Sequence, residues 1–435
     1  MKLSKKLKNL NSYPFHMPGH KRNSEFDIIG AEIDITEIDG FDNLHNPCSI
    51  IADMEKDLSA IYNSKKSIIS VNGSTCGILS AISAVCRKRD KIIIARNCHK
   101  SVYNACYINE LDVKYVEPEY NSKFGVYTYI SQKSIDEAIK NNPNSCAVVI
   151  TSPTYEGFIS NIKCDIPLII DSAHGAHFGI SSKFPAKQNG DIIIQSLHKT
   201  LPALTQTAVI HINNETYADR VKMYMDIFES SSPSYILLSS VDKCIDFLKN
   251  SKDKFIRYFE MLEEFYKFTN SLNSIKILKN DDKSRIVLMS KNISGVEFAD
   301  ILRTKYNIEA EASTINYVIL ISTVCDTVEG FGRLKQALED IDKINGKFIP
   351  FTEKAEIPEK IFNSYIADRK NTYKFSESEG RVSAEYVFAY PPGVPILIPG
   401  ELITDKIIKL ITKYIDSGVN IISDSGLLPS QILVY

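Results

Sequence analysis

Short apolar runs punctuate the first half of the chain at Ser67–Val71, Lys91–Ala95, Ala147–Ile150, Pro167–Ile170 and Asp191–Ile194. Each is too short for a helix and rich in Ile or Val, which predicts strands. Near-continuous apolar strands separated by helical segments predict a parallel sheet covered on both faces. Ala208–Ile212 is expected to add an edge strand. From Tyr235 to Phe268 aromatics recur at helical spacing among charges, predicting one or two linking helices. Residues 275–345 read as β-α-β-α, with strands over Ser284–Met289 and Tyr317–Ser322 and helices over Gly295–Tyr306 and Val328–Ile344. Tyr390-Pro391-Pro392-Gly393 is a turn cluster in the last segment. The expected domains are an N-terminal arm (1–35), a large domain (36–270), a small α/β domain (271–345) and a C-terminal domain (346–435).

The residues just beyond each strand are more informative than the strands. The first strand leads to Asn72-Gly73-Ser74-Thr75 and the second to Arg96-Asn97-Cys98-His99-Lys100. The third leads to Thr151-Ser152-Pro153-Thr154-Tyr155-Glu156-Gly157, the fourth to Asp171-Ser172-Ala173-His174, and the fifth to Gln195-Ser196-Leu197-His198-Lys199. Ligands of open α/β sheets bind beyond the carboxyl ends of the strands. Five such ends carrying reactive side chains are expected to converge on one site.

Composition narrows the class. At 435 residues the chain is too long for one ordinary core. Lys and Arg number 51 against 53 Asp and Glu, so the net charge of -2 gives no general case for nucleic acid or membrane binding. MKLSKKLKNL is followed by no apolar segment, so no secretory signal is expected. The nine cysteines are odd in number and lack CxxC spacing, a pattern of reduced thiols in a cytoplasmic protein. All eight histidines fall within the first 211 residues, which concentrates the chemistry in the first half.

Gly73-Ser74-Thr75 opens a predicted helix, and helix N-termini offer unpaired N–H groups and a positive dipole end to phosphate. By itself the motif reads as an ordinary Ser/Thr cap. No GxGxxG or GxxxxGK[ST] is present, which argues against dinucleotide and ATP sites. Asp171 ends an apolar run, where a carboxylate needs a cationic or N–H partner. A pyridinium nitrogen, a helix cap or, with His174 and His177 nearby, a metal ion would each serve. Lys199 lies beyond the next strand, among Ser196, His198 and Thr200. A desolvated lysine amine is a nucleophile, and the pairing of such a lysine with an acid that keeps a pyridine ring protonated is what pyridoxal 5'-phosphate (PLP) enzymes require. A solvated surface lysine is the plain alternative. His99 could stack on a flat ring or be a hydrogen-bonded loop residue.

Several segments together resemble the bacterial ornithine/lysine/arginine decarboxylases, PLP enzymes of fold type I. They are Phe15–Lys21 (FHMPGHK), Asp34–Pro47 (DITEIDGFDNLHNP), Val71–Thr75 (VNGST), Arg96–Val102 (RNCHKSV), Ser152–Gly157 (SPTYEG), Asp171–His177 (DSAHGAH), Ser196–Gln206 (SLHKTLPALTQ), Ser232–Tyr235 (SPSY) and Tyr390–Glu401 (YPPGVPILIPGE). They stand in family order and span nearly the whole chain. The resemblance implies an α/β, aspartate aminotransferase-like large domain with a mainly parallel sheet, plus a smaller C-terminal α/β region. It implies PLP as cofactor, no metal, and decarboxylation of arginine, lysine or ornithine to a di- or polyamine. An aminotransferase or carbon–carbon lyase of the same fold is the alternative, for which Arg381 is a candidate carboxylate ligand.

The resemblance also implies roles. Lys199 would carry the cofactor covalently, Asp171 would pair with the ring nitrogen, and His99 and Ala173 would flank the ring. Gly73, Ser74, Thr75, His174, Ser196 and His198 would contact the cofactor, and His198 or Lys199 would return a proton to the substrate. Ser230–Ser232 would reach the neighbouring subunit's cofactor, implying a homodimer with shared sites. Glu37, Asp39 and Glu401, with Asp34 and Asp42 nearby, are candidate partners for a substrate's distal cation. The larger relatives' N-terminal wing is not expected, and Ser172 stands where shorter relatives carry an acid.

Overall fold

The computed structural model describes residues 2–367, 370–389 and 393–435. It is a mixed α/β structure whose large, mainly parallel sheet has seven strands. The chain forms two compact units, each discontinuous in sequence: 1–87, 165–258 and 323–325 in the first, 88–164, 259–322 and 326–435 in the second.

The first unit carries four sheet strands in the order Lys66–Ser70, Ala208–Ile212, Ile192–Ser196, Leu168–Asp171. Leu168–Asp171 and Ile192–Ser196 are parallel, while Ala208–Ile212 is antiparallel to both of its neighbours. Ala208–Ile212 is therefore interior, not the edge strand its late position suggested. All five of its residues are buried, as its unbroken apolar character requires of a strand paired on both sides.

Helix Gly73–Val85 packs on this sheet through small residues, and a Cβ on Gly77 would stand 2.7 Å from Ile210 Cγ1. Helix Ile50–Tyr62 buries Ile51, Met54, Leu58 and Tyr62, the i, i+3/i+4 stripe of an amphipathic helix. Its start is capped from a distance. The Asp42 carboxylate accepts the backbone N–H groups of Asn43, Cys48, Ser49 and Ile51 at 2.8–3.0 Å. Helix Tyr235–Asn250 is capped by Ser234, and its buried Asp242 takes the Ser4 hydroxyl at 2.8 Å. That bond anchors the N-terminal helix Leu3–Lys8.

The second unit holds three parallel sheet strands in the order Ser145–Thr151, Lys91–Ala95, Asp112–Val116. Asp112–Val116 (DVKYV) carries no apolar run, since only its second and last residues are buried. A separate antiparallel sheet follows the order Ile275–Ile277, Arg285–Ser290, Val318–Ile321, Ala312–Ser313, with helices Gly295–Tyr306 and Val328–Asp342. The C-terminal stretch builds a small core from Phe375, Val387, Leu397, Ile403, Ile407, Ile411, Ile432 and Val434.

Candidate active site

Within the first unit, the ends of adjacent parallel strands assemble most of the expected residues. Asp171 is the last residue of Leu168–Asp171 and is 3% exposed. Its Oδ1 accepts the Ala173 N–H at 3.1 Å. Beyond the strands the chains remain joined: Ser172 N donates to Ile194 O at 2.8 Å, and Ser196 N donates to Ala173 O at 3.3 Å. Strand Ile192–Ser196 runs directly into the short helix Leu197–Thr200, which places Lys199 at the rim, half-buried. Lys199 Nζ stands 3.0 Å from Nε2 of the buried His174. An ammonium at that point donates to an unprotonated ring nitrogen. Lysine, imidazole and carboxylate are thus gathered where two strand ends meet.

The Gly73–Thr75 turn belongs to the same unit. Ser74 Oγ and Ser196 Oγ are 2.6 Å apart, joining the first strand's exit to the Lys199 strand's exit. Gly73 has φ +76 and donates its N–H to Gln206 O at 2.7 Å. No other group lies within 4 Å of where its Cβ would be, so this face of the turn is open. The side chain of Asn72, at the N-cap position, makes no capping bond. An open turn at a helix N-terminus, with two serine hydroxyls and exposed Thr75 beside it, has the donor set of a phosphate cup. The amine of Lys199 and the dry carboxylate of Asp171 complete the chemistry a pyridoxal phosphate demands. These residues fit that group.

His198 is held in one orientation, with Nδ1 2.9 Å from Thr207 O. A carbonyl can only accept, so the proton sits on Nδ1 and Nε2 is bare. Burial lowers the His198 pKa, and the nearby Lys199 charge lowers it further. Thr207, which also accepts Leu197 N–H at 3.0 Å, was not singled out from the sequence. Its only sequence signal is its place directly after the SLHKTLPALTQ segment.

His99 belongs to the second unit. It is exposed, and its Nδ1 accepts the Ser101 N–H at 3.2 Å as the cap of helix Lys100–Ile108. Ser230, Ser231 and Ser232 are all exposed. The Ser230 carbonyl accepts from His45 Nε2 at 2.7 Å, and His45 Nδ1 meets Asp226 at 2.8 Å. His177 packs edge-on against Phe178 and Phe184. Among the described residues, no group of three or more His, Cys, Asp or Glu is disposed to hold a metal ion.

The acids expected near a substrate cation divide by environment. Asp42 is committed to capping. Asp34 meets His20 Nε2 at 3.2 Å. Glu401 is fully buried, and its Oε2 takes Arg96 Nη2 at 3.1 Å and Ile398 N–H at 2.9 Å. Glu401 is thus bound to a cation of its own chain and is not displayed to solvent. Asp39 is exposed, and Glu37 Oε1 is buried without a hydrogen-bond partner. The Arg381 guanidinium lies 3.6 Å from the centre of the Tyr373 ring. Residues 390–392 of the turn cluster lie outside the described residues.

The Orn/Lys/Arg decarboxylase major-domain model matches residues 2–298, and the C-terminal-domain model of the same family matches residues 342–421. The chain belongs to the Orn/Lys/Arg decarboxylase family. An uncharacterized protein of Bacillus subtilis, YaaO, is 31% identical over 98% of this chain and 96% of its own length. An arginine decarboxylase of the same organism is 28% identical over 93% of this chain and 91% of its own. The crystal structure of the Francisella novicida lysine decarboxylase LdcF superposes with a TM-score of 0.83 at 18% identity, covering 100% of this chain and 80% of that one. That likeness establishes the fold, which a solved structure of SPT with PLP and one of a Bacillus subtilis ureidoglycine-glyoxylate aminotransferase share. Among the described residues, no helix is long and apolar enough to cross a membrane.

Proposed function

We propose that this member of the Orn/Lys/Arg decarboxylase family is a cytoplasmic, PLP-dependent enzyme that removes the α-carboxylate of arginine, lysine or ornithine. The observation that carries the reading is Lys199 Nζ at 3.0 Å from His174, beside the buried Asp171 on the neighbouring strand end. When bound, PLP would supply an electron sink for the electron pair left on the α-carbon as CO2 departs.

The chain's own residues do the rest. Lys199 would hold the cofactor through its side-chain amine. Asp171, fixed by the Ala173 N–H in a dry setting, keeps a proton on the ring nitrogen. Ser74, Thr75, Ser196 and the N–H groups opening helix Gly73–Val85 hold the phosphate. Ala173, next to the Asp171 carboxylate, would lie against the ring. His198, oriented by the Thr207 carbonyl, and Lys199 are the two groups of helix Leu197–Thr200 that could return a proton to the α-carbon. Glu37, whose buried oxygen lacks a partner, is the residue we assign to the substrate's distal cation. The exposed Ser230–Ser232 run reaches the site of a second copy, so that the working unit is a homodimer.

The test is incubation of the PLP-loaded protein with arginine, lysine, ornithine, norleucine and glutamate separately, measuring CO2 and identifying the amine by mass spectrometry. CO2 and the matching amine from a basic amino acid alone are expected. Equal turnover of norleucine or glutamate overturns the basic-substrate reading. Amino-group transfer to a keto acid without CO2 replaces decarboxylation with transamination.

A further inference from the structure

Glu229 was not singled out from the sequence, yet it lies beneath the cofactor cup. It follows helix Ala218–Phe228 and is 7% exposed. Its Oε1 accepts three donors from the turn between strand Lys66–Ser70 and helix Gly73–Val85: Ser70 Oγ at 3.0 Å, Val71 N–H at 2.6 Å and Asn72 N–H at 3.2 Å. Ser70 Oγ also accepts the Asn72 N–H at 3.1 Å. The turn therefore closes around one carboxylate oxygen, and the next residue along is Gly73, with its left-handed backbone and open face. Two consecutive N–H groups pointing down at Glu229 fix the peptide planes from which Gly73, Ser74 and Thr75 depart.

The same residue adjoins the Ser230–Ser232 run, whose first carbonyl is held by His45, itself paired with Asp226. One side chain thus ties the phosphate turn to a loop clamped independently. A buried acceptor serving three donors is costly to remove, because the Val71 N–H then loses its acceptor and the Ser70 and Asn72 donors keep only their weaker alternatives.

We propose that Glu229 is a positioning residue for cofactor phosphate binding: its Oε1 sets the Ser70–Asn72 turn so that the start of helix Gly73–Val85 faces the phosphate. This rests on the PLP reading of the site and adds to it a residue that touches no cofactor atom. The role belongs to the acceptor oxygen, so a side chain that keeps an oxygen there keeps the function. A side chain that fills the volume without an acceptor loses it.

The experiment is titration of the apo forms of wild type, Glu229→Gln, Glu229→Met and Ser70→Ala with PLP, read by absorbance. Thermal melting of each apo protein runs alongside. Losing the acceptor is expected to weaken PLP binding at least about tenfold in E229M, while E229Q stays within about threefold of wild type. Ser70→Ala keeps both backbone bonds to Glu229 and is expected to weaken binding by roughly twofold to fivefold. A purely structural role would lower the melting temperatures and leave these affinities unmoved. A folded E229M that binds PLP like wild type overturns the proposal. If E229M does not fold, Ser70→Ala decides, and wild-type affinity in that variant overturns the proposal. Failure of the wild-type protein itself to take up PLP overturns the underlying cofactor reading instead.

Discussion

Asp42 separates a structural carboxylate from a substrate-binding one within a single acid-rich stretch. The perturbation is Asp42→Asn, which removes the charge and turns an N–H-bearing amide toward some of the donors now satisfied. Burial pushes the Asp42 carboxyl up, but the N–H groups of Cys48, Ser49, Asn43 and Ile51 together outweigh it and hold the pKa at about 2. Against ~3.9 in an unfolded chain, a pKa difference of ~2 corresponds to ~2.6 kcal/mol at ~1.4 kcal/mol per pH unit. The site is partly open to solvent, so screening reduces this to about 1–1.5 kcal/mol. That agrees with the ~1 kcal/mol, at most ~2, measured for removing a helix N-cap. A carboxyl whose folded pKa is depressed stabilises fully above its unfolded pKa. Its contribution is lost as pH falls through ~4 toward about 2. The assay is urea unfolding by circular dichroism at pH 7 and pH 3, with equal slopes required for comparison. Asp42→Asn should lower the midpoint at pH 7 and differ less from wild type at pH 3, while KM for the basic substrate stays unchanged. An unaltered midpoint together with a tenfold rise in KM would falsify the capping assignment and return Asp42 to the substrate site.

Three further outcomes are expected from the site. Borohydride should bleach the yellow of the PLP-loaded protein and leave the pyridoxyl mass on the peptide containing Lys199, and Lys199→Ala should lose turnover; a label on another lysine contradicts the assignment. Asp171→Asn should still bind PLP but lose several powers of ten in kcat, each power of ten being ~1.4 kcal/mol of lost transition-state stabilisation. Near-wild-type turnover by that variant refutes its role. Mixing inactive Lys199→Ala subunits with inactive Ser230 variants should restore part of the activity if sites are shared between subunits, and an active monomer in sedimentation contradicts the shared-site reading.

Much of this protein was legible along the chain, for a physical reason. Strands buried on both faces must be continuously apolar, so Ile192–Ser196 and Leu168–Asp171 announce themselves. The residues proposed for the chemistry sit directly after such runs, which is why Asp171, His174, Ser196, His198 and Lys199 stand out in the sequence. A strand's period says nothing about its neighbours, however. Ala208–Ile212 was expected at an edge and lies between two partners, because strand order is set by crossovers and not by local pattern. Asp112–Val116 was missed because a half-buried strand with Lys and Tyr carries little apolar signal.

The acids show the division most clearly. In the sequence Glu37, Asp39, Asp42 and Glu401 are equivalent carboxylates, and only the contacts of the folded chain distinguish them. Asp42 meets N–H groups at the start of a helix, Glu401 pairs with Arg96 in a dry interior through Oε2 while its Oε1 has no hydrogen-bond partner, and Glu37 likewise keeps a buried oxygen without one. Glu229 had no signal at all, since its donors lie 157, 158 and 159 positions away along the chain. By itself the sequence determined which residues could react, because reactivity follows residue type at strand ends. The tertiary structure alone decided which charges are already satisfied and which remain for a ligand, because a carboxylate's role is set by the donors that long-range packing brings to it.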